Sequence, residues 1–117
     1  MKQSAKIIFA FVLVFVLCSS AFAALPSITM LSTQTCPACK QMSKVLEKIA
    51  SDYGNKIETS HVYVDDKKNR DIAMKYEVRY VPMLIFKDAR GKEIAREVGY
   101  KSLEEVLAIF RKAGVKI

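Results

Sequence analysis

Two cysteines separated by two residues, Cys36-Pro37-Ala38-Cys39, are the part of this chain whose types and spacing point most directly to chemistry. They stand where an apolar run, Ile28-Thr29-Met30-Leu31, passes through the polar stretch Ser32-Thr33-Gln34-Thr35 into a segment of helical periodicity. Cys36 therefore falls at or just before a first helical turn, where unpaired backbone N–H groups and the helix dipole stabilise a thiolate. Pro37 falls near the first helical position, where a missing N–H costs nothing, and Ala38 completes the intervening dipeptide. Cys39 lies one turn further on, on the same face, close enough for a disulfide and better shielded from solvent. One exposed, acidic thiol beside one protected thiol is what thiol–disulfide exchange requires.

Other uses of the pair are weaker. A structural zinc site needs four ligands, and beyond residue 23 the chain holds two Cys and a single His, His61. Two reduced thiols could hold a soft ion such as Cu(I), with Met42 and Met83 as spare sulfur ligands, although Met in a core is far more often packing. A permanent staple is usually placed to close a long loop, and this pair encloses only Pro37 and Ala38. Exchange through the two thiols needs no metal and no organic cofactor.

The elements that must position the pair can be read around it. From Cys39, Met42, Val45, Leu46, Ile49, Ala50 and Tyr53 recur at helical spacing, and Gly54-Asn55 ends the helix. Ile57 to Val64 reads as a strand, Asp65 to Asn69 as a charged turn, and Ile72, Ala73 and Tyr76 as one face of a short helix. Val78 to Val81 leads into Pro82 and the apolar strand Met83-Leu84-Ile85-Phe86. Ala89-Arg90-Gly91-Lys92 is a hairpin turn returning through Glu93 to Val98. Ser102 with Glu105 forms a capping box for a last helix that buries Leu103, Val106, Leu107 and Phe110. The order is β-α-β-α-β-β-α, an α/β arrangement. Strands separated by helices are expected to pair in parallel, and the last two as an antiparallel hairpin.

The chain of 117 residues is one domain's length, and 51% hydrophobic with 26% charged residues is a globular composition. The absence of Trp argues against a stacking surface for single-stranded nucleic acid. The formal charge is +7. It reads as a solvated lysine-rich surface rather than a nucleic-acid site, because no basic stripe stands out along the chain.

Residues 1–23 have the layout of a secretory signal peptide: Lys2 and Lys6, the apolar run Ile7 to Leu17, and Ala21-Phe22-Ala23 as a cleavage pattern. The run reaches roughly 16 Å as a helix, about half of a ~30 Å hydrocarbon core. Continued through Leu25 it would just span, which makes an uncleaved anchor the alternative. Either way residues 24–117 are expected outside the cytoplasm, most simply in a periplasm.

Cys36-Pro37-Ala38-Cys39-Lys40, the Val81-Pro82 pair before an apolar strand, and Gly91 and Gly99 downstream resemble a thioredoxin, from about Ile28 to Ala113. The resemblance implies a minimal thioredoxin-like fold, a mixed four-stranded sheet with helices on both faces. It also implies that Pro82 is cis beside the cysteines and that the Val81 backbone pairs with an extended substrate peptide. The chain departs from the family pattern in three ways. The first strand and helix of full-length thioredoxins have no counterpart before Cys36. The Trp-Cys-Gly-Pro-Cys motif is replaced by Thr35-Cys36-Pro37-Ala38-Cys39. The buried acid that thioredoxins carry six residues before the first cysteine is Met30 here. His61 stands where thioredoxins place a lysine neighbouring that acid, and it titrates near neutral pH, so it is a candidate for proton transfer. A His at the solvated edge of a strand is the plainer reading and the favoured one.

By this resemblance Cys36 attacks a substrate disulfide and Cys39 resolves the mixed disulfide. Oxidases of the family carry a helical insertion and isomerases a dimerisation domain, and neither fits in residues 24–117. The expectation is a small, monomeric, exported reductase of protein disulfides, recharged by a membrane redox partner. The Pro-Ala dipeptide, in place of Gly-Pro, keeps a thiol oxidant as the alternative.

Overall fold

The computed structural model describes residues 24–117. The expected signal segment, residues 1–23, lies outside the described residues. No helix among the described residues is long and apolar enough to cross a membrane.

Strand β1 (Ser27–Ser32) enters the middle of the sheet, and its alternation sends Ile28 and Met30 to one face and Leu31 to the other. Helix α1 (Pro37–Tyr53) follows, with Cys36 as its N-cap and Pro37 opening its first turn. It buries Cys39, Met42, Leu46 and Ile49 and leaves its lysines outside. Strand β2 (Glu58–Tyr63), a 3-10 turn (Lys67–Asn69) and the short helix α2 (Arg70–Lys75) come next. The hairpin β3 (Met83–Lys87) and β4 (Glu93–Val98) leads to helix α3 (Leu103–Lys112). Ser102 Oγ accepts from the Glu105 amide at 3.2 Å, the N-cap half of the expected box. Glu104 and Glu105 in the first turn and Arg111 and Lys112 in the last complement the helix dipole.

The sheet order is β2-β1-β3-β4. Strands β1 and β2 are parallel, with Met30 opposite His61, and β3 and β4 form the expected antiparallel hairpin. The expectation that helix-separated strands pair in parallel fails at β3, which lies beside β1 and runs antiparallel to it. The reason is length. The long helix α1 carries the chain back along the whole sheet, so β2 can start from the same edge as β1. Helix α2 reaches only about 9 Å at 1.5 Å per residue, less than half of a six-residue strand at about 3.3 Å each. The chain therefore starts β3 from the edge where β2 ended.

Helices α1 and α3 cover one face over a core of Ile28, Met30, Met42, Ile49, Phe86 and Phe110, with the Phe86 and Phe110 rings edge to face at 5.2 Å. On the other face Leu31, Met83 and Ile85 are buried under partly exposed Val62, Val64, Ile72, Tyr76 and Val78.

Candidate active site

The register brings four strand ends to one edge of the sheet. Ser32 ends β1 opposite Tyr63 of β2, Met83 starts β3 opposite Leu31, and Val98 ends β4 opposite Met83. The loop 33–36 leaves that edge carrying Cys36. Its Gln34 amide is held by Asp65 Oδ2 at 3.1 Å, which ties it to the turn after β2.

Cys36 and Cys39 form a disulfide, with Cα atoms 5.2 Å apart. Cys36 is partly exposed, whereas Cys39 is only 3% exposed. The Cys39 amide donates to Cys36 Sγ at 3.1 Å, so a free N–H of the first turn of α1 is aimed at the sulfur. In the reduced protein that donor and the dipole behind it favour a Cys36 thiolate. Behind Cys39, Ser43 Oγ donates to the Cys39 carbonyl at 3.0 Å.

The Val81–Pro82 peptide bond is cis. The Pro82 carbonyl accepts from the Gly99 amide at 2.8 Å, which clamps the entry to β3 against the exit from β4. Gly99 holds φ +94°, a left-handed conformation that disfavours any side chain there. Tyr80, 71% exposed, and the half-exposed Val98 and Tyr100 give this edge an apolar rim that the sequence reading missed. Their only signal in the sequence was nearness to Pro82 and Gly99.

The arrangement built from strands β1 and β2, helix α1 and the cis-Pro hairpin is matched by known proteins. Residues 23–114 match the family profile described as a thioredoxin-like domain. The chain belongs to the thioredoxin-like family. A thioredoxin of Staphylococcus aureus is 37% identical over 78 residues, 66% of this chain and 71% of its own. The solution structure of a thioredoxin-like protein from Clostridium perfringens superposes with a TM-score of 0.69 at 30% identity, covering 82% of this chain and 76% of that one. The malaria parasite's thioredoxin-2, described as a component of its protein secretion machinery, gives 0.67 at 26%, over 75% and 82% of the two chains. With its Cys36–Cys39 disulfide this thioredoxin-like chain is a thiol–disulfide oxidoreductase, and family members of this kind act on protein disulfides.

Met30, in place of the usual acid, is fully buried in the apolar core with Met42. On the same face, two residues along β1, Ser32 is also fully buried, and its Oγ shares a hydrogen bond with His61 Nε2. The sequence hides this pair because Ser32 opens the polar run Ser32-Thr33-Gln34-Thr35, which has the composition of a turn. Extending the Ile28, Met30 alternation by one step would have placed it on the α1 side. The His61 ring packs at 4.3 Å against Tyr63 and lines a groove with Ser43 and Glu47 of α1. The residue is exposed at the sheet edge, but its ring is partly desolvated there, and that lowers its pKa below the ordinary 6.5.

The sulfur ligands of the Cu(I) reading do not converge. Met42 lies in the core under α1, where its Sδ accepts from the Lys101 amide at 3.4 Å, and Met83 lies in the core on the opposite face. No group of three or more His, Cys, Asp or Glu gathers among the described residues.

Proposed function

We propose that this thioredoxin-like protein is an exported reductase of disulfides in exported proteins, with Cys36 as the nucleophile and Cys39 as the resolving thiol. The observation that carries the roles is the asymmetry of the pair: Cys36 is accessible and faces a helix N–H, and Cys39 is buried one turn behind it. The Cys36 thiolate attacks one sulfur of a substrate disulfide, which forms a mixed disulfide and releases a thiolate that takes up a proton. Cys39 then loses its proton and attacks Cys36 Sγ. The second substrate sulfur leaves as a thiolate, and the two electrons have passed from the protein to the substrate. The Val81 backbone, between the exposed Tyr80 and the clamped Pro82, receives the extended substrate chain. His61, bonded to Ser32 at the sheet edge, is first a structural partner of Ser32, and the pH profile of exchange tells whether it also takes the Cys39 proton where Met30 offers no acceptor.

Export rests on the layout of residues 1–23, with cleavage after Ala23 favoured over retention as an anchor. That location calls for a membrane redox partner to recharge the protein, which we take to act as a monomer. The reverse direction, oxidation of substrate dithiols, is favoured by the Pro37-Ala38 dipeptide, and the reduction potential decides between them. A value around −230 to −270 mV supports the reductase and one near −120 mV the oxidant. Cys39→Ser is expected to accumulate mixed disulfides with its clients. A Cys36→Ser protein that still turned over would overturn the assignment of roles.

A further inference from the structure

We infer that the line of lysines along α1, with the groove between α1 and α3, is the docking surface for an acidic segment of the protein that exchanges electrons with Cys36. The inference rests on the oxidoreductase reading and adds the chemistry of the partner.

No basic stripe stands out along the linear chain, but the helix makes one. Lys40, Lys44 and Lys48 are spaced by four and all exposed, so they climb one side of α1 from the residue after Cys39. None of the three has a carboxylate within ion-pair distance among the described residues, and residues 1–23 contain no Asp or Glu. Of the two acids of the helix, Glu47 lies on its other flank, in the groove with His61, and Asp52 is exposed one turn beyond Lys48 at the end of the helix. From Lys40 to Lys48 the line carries positive charge only, and Asp52 bounds it at the far end.

Lys44 and Lys48 border an open groove of about 610 Å³ whose apolar lining comes from Val45, Leu103 and the half-exposed Tyr100. Glu104 is the one carboxylate on its border, so its charge does not cancel the lysines. The groove is tied to the redox site through the segment that follows β4. Tyr100 follows Gly99, which bonds to Pro82, and the Lys101 amide is held by Met42 of α1.

The distances suit one partner covering both features. Cys36 to Lys48 is about 18 Å along the helix. A transient redox interface of about 600 Å² per partner is a disc roughly 28 Å across. Basic rims set encounter rate and partner choice, which suits a protein that must meet its partner and release it. A membrane surface is the poorer fit. Interfacial helices insert their apolar face, and that of α1 is spent on the core around Met42 and Ile49.

The test uses matched disulfide peptides bearing either four Glu or four Lys, with dithiothreitol as a small neutral reactant. At about 0.01 M ionic strength the acidic peptide should react about tenfold faster than the basic one, and the gap should close near 1 M, where screening falls to about 3 Å. Lys44→Glu/Lys48→Glu should abolish or invert that preference and leave the dithiothreitol rate unchanged, with Lys44→Gln/Lys48→Gln in between. Equal peptide rates in the wild type, or a preference that survives charge reversal, would overturn the docking surface while the oxidoreductase reading stands. Unchanged peptide rates with lost binding to anionic phosphatidylglycerol vesicles would assign the lysines to a membrane and overturn it as well. A wild type that fails to react even with dithiothreitol would remove the underlying reading, and the inference with it.

Discussion

The two faces of the sheet are built to different standards. Under α1 and α3, Met30, Met42, Ile49, Phe86, Val106 and Phe110 are each fully buried. On the opposite face Leu31 and Ile85 are just as buried, but their cover is the six-residue α2 and side chains that remain partly exposed. Cys36, Cys39, Ser32 and His61 all belong to the first face or its rim. A redox pair that opens and closes a bond at every turnover must keep its geometry in both states. Placing it on the longest helix, over the fully packed core, provides that rigidity. The thin face carries none of these groups and can tolerate local opening.

The largest effect expected on the first face is chemical. Cys36→Ser should remove all exchange activity in an insulin-disulfide or peptide assay and leave the far-ultraviolet circular dichroism unchanged. Next comes packing. Phe110→Ala should cost about 3–5 kcal/mol in urea unfolding, because it empties the layer against Phe86. On the other face Ile72→Ala, which removes a partly exposed side chain, should cost about 1 kcal/mol. Near-equal losses would break the comparison. Hydrogen exchange sharpens it: the amides of α2 should exchange ahead of those in the middle of α1.

Smaller effects separate local strain from titration. Glu77 ends α2 at φ +49°, a conformation glycine adopts freely, so Glu77→Gly should stabilise by about 0.5–1 kcal/mol. The last effect concerns His61. Its folded pKa lies below the ordinary 6.5, so the unfolded chain binds the proton more readily. The wild type should therefore lose a little stability as pH falls from about 6.5 through the folded pKa, and gain none above that window. His61→Ala should flatten that slope. If His61 also accepts the Cys39 proton through its place beside Ser32, the same variant should shift the pH profile of exchange. An unshifted profile would leave His61 a structural partner of Ser32 only.

Much of this molecule was set by interactions within a few residues, and those were readable in the chain. The Cys36 cap, Pro37 in the first turn, the helical spacing from Met42 to Tyr53 and the Ser102 cap all depend on neighbours within one or two turns. The hairpin around Gly91 is equally local. Such signals placed the redox pair at a helix start and gave the element order before any tertiary contact was known. What spans the sheet was decided only by folding. The antiparallel seat of β3 beside β1 depends on how far α2 can carry the chain, and the Ser32–His61 bond on the parallel register of β1 and β2. The groove that joins Lys44 and Lys48 to Tyr100 exists only once α3 packs beside α1. Local periodicity can say which side of an element is apolar. Which two polar or charged groups meet across the fold depends on strand order and register, and these are settled by the packing of the whole.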